Sequence, residues 1–296
     1  MWQVIGIAGV FAAIGIGYTI AGGHFAVIIN SAGPELLVIG GSGVMTLLIA
    51  NDLGVVRNAM GGMKRAFTGP RWRRGDYTDA LCLLFLLVRL LRQEGSVALE
   101  RHIEDPANSA FFSRYPRLLA DRHVTAFIAD VLRSITMNMT DPHMVGEMME
   151  AEIAKRHAED LRAAKALSAV ADAFPALGIV AAVLGVIKAM GAISESPEVL
   201  GHMIGSALVG TFLGVFLAYA LVGPVAARVK GVIEEEGSLL PVIRQVIISH
   251  LEGLQPQVAV EVGRKLVPSR HQPSFDELDR MMSETARSAR AGKAEE

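Results

Sequence analysis

Residues 175–190 read PALGIVAAVLGVIKAM, a stretch that opens on proline, is apolar almost throughout and lacks any carboxylate. It lies inside a longer apolar segment, residues 173–193, which can cross a bilayer because a spanning helix needs about 20 such residues. Proline bends a membrane helix, and ion transport usually needs an ionisable group inside the membrane. The stretch therefore predicts a bent membrane helix and raises the question of where an ion would find its acid.

Three further segments are apolar enough to span a membrane, namely residues 3–22, 35–51 and 203–225. Apolar residues make up 51% of the chain, and adding its 30 glycines raises the share above the roughly 45–50% of soluble domains. We therefore expect an all-α integral membrane protein with four transmembrane helices and a helical cytoplasmic domain. Glu35 and Asp172 are expected at span boundaries, so the spans are predicted to hold no interior carboxylate.

Basic residues are unevenly distributed around the predicted spans. The loops at residues 23–34 and 194–202 contain neither lysine nor arginine, whereas the second and fourth spans are followed by Arg57, Lys64, Arg65, Arg71, Arg73, Arg74, Arg228 and Lys230. Because basic residues favour the cytoplasmic side, both termini are predicted to be cytoplasmic. The predicted divisions are residues 1–51 (transmembrane helices 1 and 2), 52–171 (cytoplasmic helical domain), 172–225 (transmembrane helices 3 and 4) and 226–296 (cytoplasmic segment ending in a disordered tail of about ten residues).

Local signals mark several helices outside the spans. Asp141 and Pro142 are typical of a helix start, and apolar residues then repeat at helical spacing as far as the third span. This predicts one helix of nearly fifty residues, about 70 Å long, which would serve either to transmit movement or simply as a stalk. Ser274 and Glu277 resemble a capping box. The run LCLLFLLV at residues 81–88 is too short to span and predicts a buried helix face that includes Cys82, the single cysteine.

The sequence offers no support for enzymatic chemistry. Its eight histidines are scattered without metal-ligand spacing, and phosphate-binding loops and hydrolase motifs are missing. The formal net charge of −2 argues against nucleic acid as a partner. We therefore expect neither enzyme activity nor a cofactor or metal.

The third and fourth spans contain two prolines, a threonine and several small residues that suggest functional roles. Pro175 and Pro224 lie at the cytoplasmic ends of the spans, where a hinge could couple membrane events to the cytoplasmic domain. Thr211 could bond the carbonyl four residues back or face a wet path. Small residues allow close helix approach, either among the chain's own helices or, as the missing acid favours, with a partner helix; they are Gly178, Gly185, Gly210 and Gly214.

Four long motifs, in order, resemble the MotA family of flagellar stator proteins, and the resemblance extends over nearly the whole chain. They are RQEGSVALERHIEDP, FPALGIVAAVLGVIKAM, ALVGTFLGVFLAYALVGPVAARV and QPQVAVEVGRK. The resemblance implies a stator subunit of the bacterial inner membrane, with five copies around two copies of a MotB-type protein. That single-span partner would supply the proton-binding aspartate, so the acid missing here would belong to another chain.

The resemblance also implies roles for single residues. Pro175 and Pro224 would couple ion flow to movement, while the exposed charges would engage the rotor switch protein FliG; these charges are Arg92, Glu100 and Glu152. Sodium-driven relatives carry threonine where this chain has Ala182, which offers no oxygen ligand, so protons are the expected ion. Two other readings stay open: an ExbB/TolQ-type energy transducer, which has three spans, and a membrane scaffold without ion flux.

Overall fold

The computed structural model describes residues 2–293, with side chains for residues 2–289, and it confirms the predicted all-α fold: that part of the chain contains no strand. Two short 3₁₀ turns (Pro106–Asn108 and Phe112–Arg114) and one π-helical turn (Leu217–Val222) interrupt the α-helices. The α-helices are α1 (Trp2–Ile20), α2 (Phe25–Ala50), α3 (Leu53–Thr68), α4 (Arg74–Glu94), α5 (Ser96–Ile103), α6 (Pro116–Leu119), α7 (Arg122–Thr136), α8 (Pro142–Gly191), α9 (Pro197–Phe216), α10 (Gly223–Gly237), α11 (Leu239–Leu251), α12 (Pro256–Arg264) and α13 (Phe275–Lys293).

Four helical stretches are long and apolar enough to cross a membrane, as the sequence predicts. They are α1, α2, α8 and the stretch from Pro197 to Leu251 that begins with α9. The described chain also divides into two compact units. Unit 1 comprises residues 1–69 and 158–233, and unit 2 comprises residues 70–157 and 234–296. These units are defined by which residues contact one another. The divisions expected at residues 51, 171 and 225 separate membrane segments from cytoplasmic ones and stay predictions.

Unit 1 contains the apolar helices. Helix α2 packs along α9, and a small apolar core forms around Ile39, Phe174 and Leu213 of α2, α8 and α9. A second cluster joins α3, α8 and α10 through small side chains, including Ala59 and Ala163. Helix α1 has no fully buried residue, and although the Phe11 ring contacts that of Phe216, most of its apolar surface is open to lipid or to other chains.

The start of the second span differs from the prediction. Helix α2 begins at Phe25, ten residues earlier than the expected start at residue 35, and Pro34 lies inside it. Proline is tolerated inside a membrane helix because neighbouring groups satisfy the carbonyl that it frees. Most of the expected loop at residues 23–34 is therefore helical, and Glu35 is an interior residue of α2.

Unit 2 is built around α4. Every residue of the run from Leu81 to Val88 is buried, so this helix is enclosed on all sides rather than on the single face that we expect from the sequence. Helices α5, α11, α12 and α13 pack against it. Cys82 is buried as predicted, and burial raises the pKa of its thiol to about 11.

Two predicted helix starts are confirmed by side-chain hydrogen bonds. The Asp141 carboxylate accepts from the backbone N–H groups of His143 (2.8 Å) and Met144 (3.0 Å), and α8 runs from Pro142 for 50 residues. Ser274 and Glu277 form the reciprocal capping box at the start of α13, at 3.2 and 3.3 Å. Helix α13 continues to Lys293, into the tail expected to be disordered, because its alanines and charged residues favour helix; residues 294–296 lie outside the described residues.

Candidate functional site

The glycines of α8 and α9 form a backbone-to-backbone contact within this chain. A Cβ atom added to Gly214 would lie 2.6 Å from the carbonyl oxygen of Phe174, and one added to Gly178 would lie 2.9 Å from that of Gly210. At Gly185 the added atom would meet the Ala207 methyl at 2.6 Å. Such distances leave no room for a side chain, so these four glycines let α8 and α9 approach closely.

This contact gives Gly178, Gly185, Gly210 and Gly214 neighbours within the chain, and their packing against a partner helix stays a prediction. The loop between α8 and α9 is short, which makes the two helices natural neighbours, and a small-residue face serves a neighbour in the same chain as well as a partner. The exposed side of α8 carries large apolar residues instead. That side remains open to lipid or another chain and includes Ile179, Val183, Leu184 and Ile187.

Pro175 directly follows Phe174, a residue at which three helices meet. The helix α8 continues through it, and the preceding residue, Phe174, is buried. The Phe174 ring fills the space above Gly43 of α2, where an added Cβ would meet it at 2.5 Å, while its carbonyl oxygen faces Gly214 of α9. Any change in the path of α8 at Pro175 would therefore move against both neighbours. A coupling role for Pro175 stays a prediction.

Pro224 follows a feature that the sequence analysis missed. The π-helical turn Leu217–Val222 joins α9 to α10, and the backbone N–H of Gly223 donates to the carbonyl of Ala218, five residues back. Pro224 is the second residue of α10 and has no N–H to donate. Single π turns often occur at functional sites, and the Gly-Pro pair is the only local signal for this one.

The carboxylate of Glu35, which we expected at the start of a span, lies against Gly210 on the side that also faces the predicted ion-path residue Ala182. A Cβ added to Gly210 would lie 2.9 Å from Oε2 of Glu35 and 3.1 Å from the backbone nitrogen of Ala182. Thr211 follows Gly210 directly, and its hydroxyl makes no hydrogen bond to the described residues, so it does not bond the carbonyl four residues back. Glu35 is expected at the boundary of the second span, but α2 starts at Phe25, so this carboxylate lies within the helix rather than at its start.

The three predicted rotor-facing charges lie in unit 2 and are all exposed. Arg92, in the last turn of α4, donates to the carbonyl of Leu254 at 3.0 Å and so also braces the connection between α11 and α12. Glu100 on α5 and Glu152 on α8 form no ion pair with any residue that the structure describes. Their contact with a rotor stays a prediction.

The motif VEVGRK has a structural explanation. Arg264 is buried, donates to both carboxylate oxygens of Glu261 at 2.6 Å and donates to the carbonyl of Pro273 at 2.8 Å. Gly263 lies against α11, where an added Cβ would meet the Val246 side chain at 2.3 Å. This part of the family resemblance therefore reports the packing of unit 2.

Replacing Arg264 with glutamine is expected to lower the free energy of unfolding by about 3 kcal/mol, because it breaks a buried ion pair and leaves its partners unmatched. The hydrogen bonds from Arg264 hold the pKa of Glu261 below its ordinary value. That pair stabilises the fold above the ordinary glutamate pKa, and the stabilisation is lost as the pH falls through the lowered pKa. Thermal unfolding of the purified full chain at several pH values measures both effects. Lys265→Gln, next in sequence and exposed, is the control; equal loss in both variants would contradict the prediction.

Two family models match the chain. The N-terminal model of motility protein A matches residues 4–95, and the MotA/TolQ/ExbB proton channel family matches residues 120–240. Motility protein A of Salmonella typhimurium is 35% identical over 94% of this chain and 94% of its own length.

Solved structures agree. The flagellar MotAB stator complex from Bacillus subtilis has a chain that is 25% identical and superposes with a TM-score of 0.68 over 93% of this chain and 97% of that one. A chain of C. jejuni MotAB, at 19% identity, has the same fold with a TM-score of 0.70 over 90% of this chain and 95% of that one. On the identity and coverage of these relatives, the chain belongs to the motility protein A family.

Proposed function

We propose that this chain is the MotA-type subunit of a flagellar stator, which conducts protons with a MotB-type partner and converts their flow into torque for motility. The observation that carries the proposal is the match of the N-terminal model of motility protein A to residues 4–95. This region contains α1 and α2, and the resemblance to ExbB/TolQ-type transducers covers only the last two spans. The N-terminal pair of helices is therefore the feature that distinguishes a stator subunit from an ExbB/TolQ-type transducer.

The proposed assembly is a ring of copies of this chain around MotB-type helices. The related Bacillus subtilis structure is a MotAB stator complex, which supports a partner of this type and an oligomer. The unburied surface of α1 and the exposed apolar side of α8 are available for those contacts and for lipid. Five copies around two partners, the inner membrane and cytoplasmic termini are the arrangement that we propose, with FliG as the rotor contact.

Protons are the proposed ion. Ala182 places a methyl group where a sodium path would need an oxygen ligand, and the family model is that of a proton channel. One charge that crosses 100 mV releases about 2.3 kcal/mol, which is enough to shift a two-state equilibrium tens-fold. A long helix with an interior proline, such as α8 with Pro175, is a suitable element for that energy to move.

The test is deletion of the gene, followed by flagellar staining, swimming assays and complementation. We expect cells that build flagella but do not rotate them, with rotation restored by the intact gene, abolished by a protonophore and unaffected by removal of sodium. Normal swimming with a defect in envelope integrity would point instead to the ExbB/TolQ class. Sodium-dependent speed would contradict the proposed ion, and loss of neither function would indicate a scaffold.

Reversing a rotor-facing charge is expected to weaken motility without abolishing it. Glu100 is the cleanest position because it forms no ion pair with a described residue, whereas Arg92 also braces the Leu254 carbonyl. Exposed ion pairs contribute at most about 1 kcal/mol each, so we expect Glu100→Lys to reduce swimming speed by about half at normal protein level.

The control is Asp279→Lys, the same charge change at an exposed acid of α13 in the same unit. A reversed charge on the rotor should restore the speed of Glu100→Lys but not improve the wild type. Equal effects of the two substitutions would show that net charge, rather than docking at Glu100, is responsible.

A further inference from the structure

Glu35 lies in an apolar part of unit 1, well away from the ends of three neighbouring helices. It is ten residues beyond the start of α2 at Phe25, or about 15 Å. On α8, Ala182 is nine residues before the end at Gly191, or about 14 Å. On α9, Gly210 is thirteen residues beyond Pro197, or about 20 Å. The carboxylate therefore lies away from the ends of all three helices, beside their apolar stretches.

The carboxylate occupies space that Gly210 leaves open. Its Oε2 lies 2.9 Å from the position of an added Cβ on Gly210, and the same position is 3.1 Å from the Ala181 methyl and the Ala182 nitrogen. Glu35 is only partly buried and forms no hydrogen bond or ion pair with the residues that the structure describes. The contact thus holds the acid in place without neutralising it.

No other charged group lies at this depth on the neighbouring helices. Helix α1 and the rest of α2 carry none, and the fourth span is uncharged from Met203 to Ala227. The charged or titratable groups nearest to this level lie toward the helix ends and are Asp172 and Lys188 on α8 and Glu198 and His202 on α9. An ionised carboxylate without a partner is costly in hydrocarbon, so intramembrane acids mark proton paths or water-filled cavities.

We infer that Glu35 is a second proton-binding carboxylate of the ion path, carried by this chain in addition to the acid of the partner. This inference rests on the proposed function. A proton from water forms an O–H bond at the Glu35 carboxylate, and that bond breaks when the proton moves on through water toward the partner's acid. Gly210 leaves the space that the carboxylate occupies, and Thr211, which follows Gly210 directly, carries a hydroxyl group.

The test uses single-motor rotation in a deletion strain that expresses the full chain with its partner. The variants are Glu35→Gln, which keeps the shape but cannot ionise, and Glu35→Asp, which keeps the acid. Near zero load, speed depends on the rate of proton transfer, whereas near stall the torque depends on the energy per proton. We expect Glu35→Gln to lower the low-load speed at least threefold with near-stall torque unchanged, and Glu35→Asp to keep more than half of the speed.

The matched control is Glu198→Gln, the same substitution at an exposed acid in the first turn of α9, which should behave as wild type. Wild-type speed for Glu35→Gln at low load would overturn the inference. Equal losses for Glu35→Gln and Glu35→Asp, at low load and near stall alike, would also overturn it, because they indicate a packing role. If the unmodified chain itself fails to restore rotation, the proposed function fails, whatever the variants do.

Discussion

Replacing Pro175 with leucine is expected to stop flagellar rotation while the protein remains in the membrane at its normal level. Leucine supplies the N–H that proline lacks, so the Ala171 carbonyl regains its helical hydrogen bond, worth about 1 kcal/mol. Helix α8 would then be stiffer at the residue next to Phe174, which contacts Gly43 of α2 and Gly214 of α9. A single favoured path of α8 would replace the bend that we propose to move with each proton.

Pro142→Ala is the matched control, because Pro142 starts the same helix at a position where its missing N–H has no helical partner in any case. It should swim normally. The measurements are motor rotation, membrane content by immunoblot and recovery of the partner in pull-down. Normal rotation of Pro175→Leu would remove the coupling role, and loss of the protein from the membrane would show that Pro175 serves assembly.

Replacing Gly214 with alanine is also expected to abolish swimming. In this case the cause would be loss of the folded protein from the membrane. The added methyl would lie 2.6 Å from the Phe174 carbonyl oxygen and 2.8 Å from the Gly178 Cα. Both are backbone atoms and cannot rotate away, so α8 and α9 must separate. Overpacking of this kind costs typically about 1–3 kcal/mol, and we expect several-fold less protein in the membrane and no swimming.

The control for Gly214→Ala is Gly9→Ala on α1, where an added Cβ meets no atom of this chain within 4 Å. Gly9 also lies in an apolar helix, so the two substitutions add the same methyl group in similar surroundings. Normal protein level and swimming for Gly214→Ala would contradict the close contact of α8 and α9. Equal losses at Gly9 would indicate that any added methyl in a span is harmful.

The features that the sequence predicted well are those that depend on residues close together in the chain. Asp141 and Ser274 mark helix starts because their side chains bond backbone groups within three residues, and such bonds need no tertiary information. The four apolar stretches were equally predictable, because spanning a membrane is a matter of length and composition.

The features that the sequence left undecided concern neighbours in space. A small-residue face looks the same whether it meets α9 of the same chain or a partner, so Gly178 and Gly214 could not be assigned. The second span is expected to start at residue 35, directly after Pro34, but proline is also tolerated inside a membrane helix. This one misplacement hid Glu35, since an acid at a boundary needs no explanation. The π turn before Pro224 depends on packing and has no clear local pattern.

The burial of Cys82 has a practical consequence for chemical labelling. Its side chain is 1% exposed, and with a pKa of about 11 roughly one thiol in ten thousand is ionised at pH 7. Thiol reagents attack the exposed thiolate, so this cysteine should stay unlabelled in the folded protein. A cysteine introduced at a single surface position would then be the only one to react. The natural chain can thus carry cross-linkers or fluorophores at chosen sites without prior removal of its own thiol.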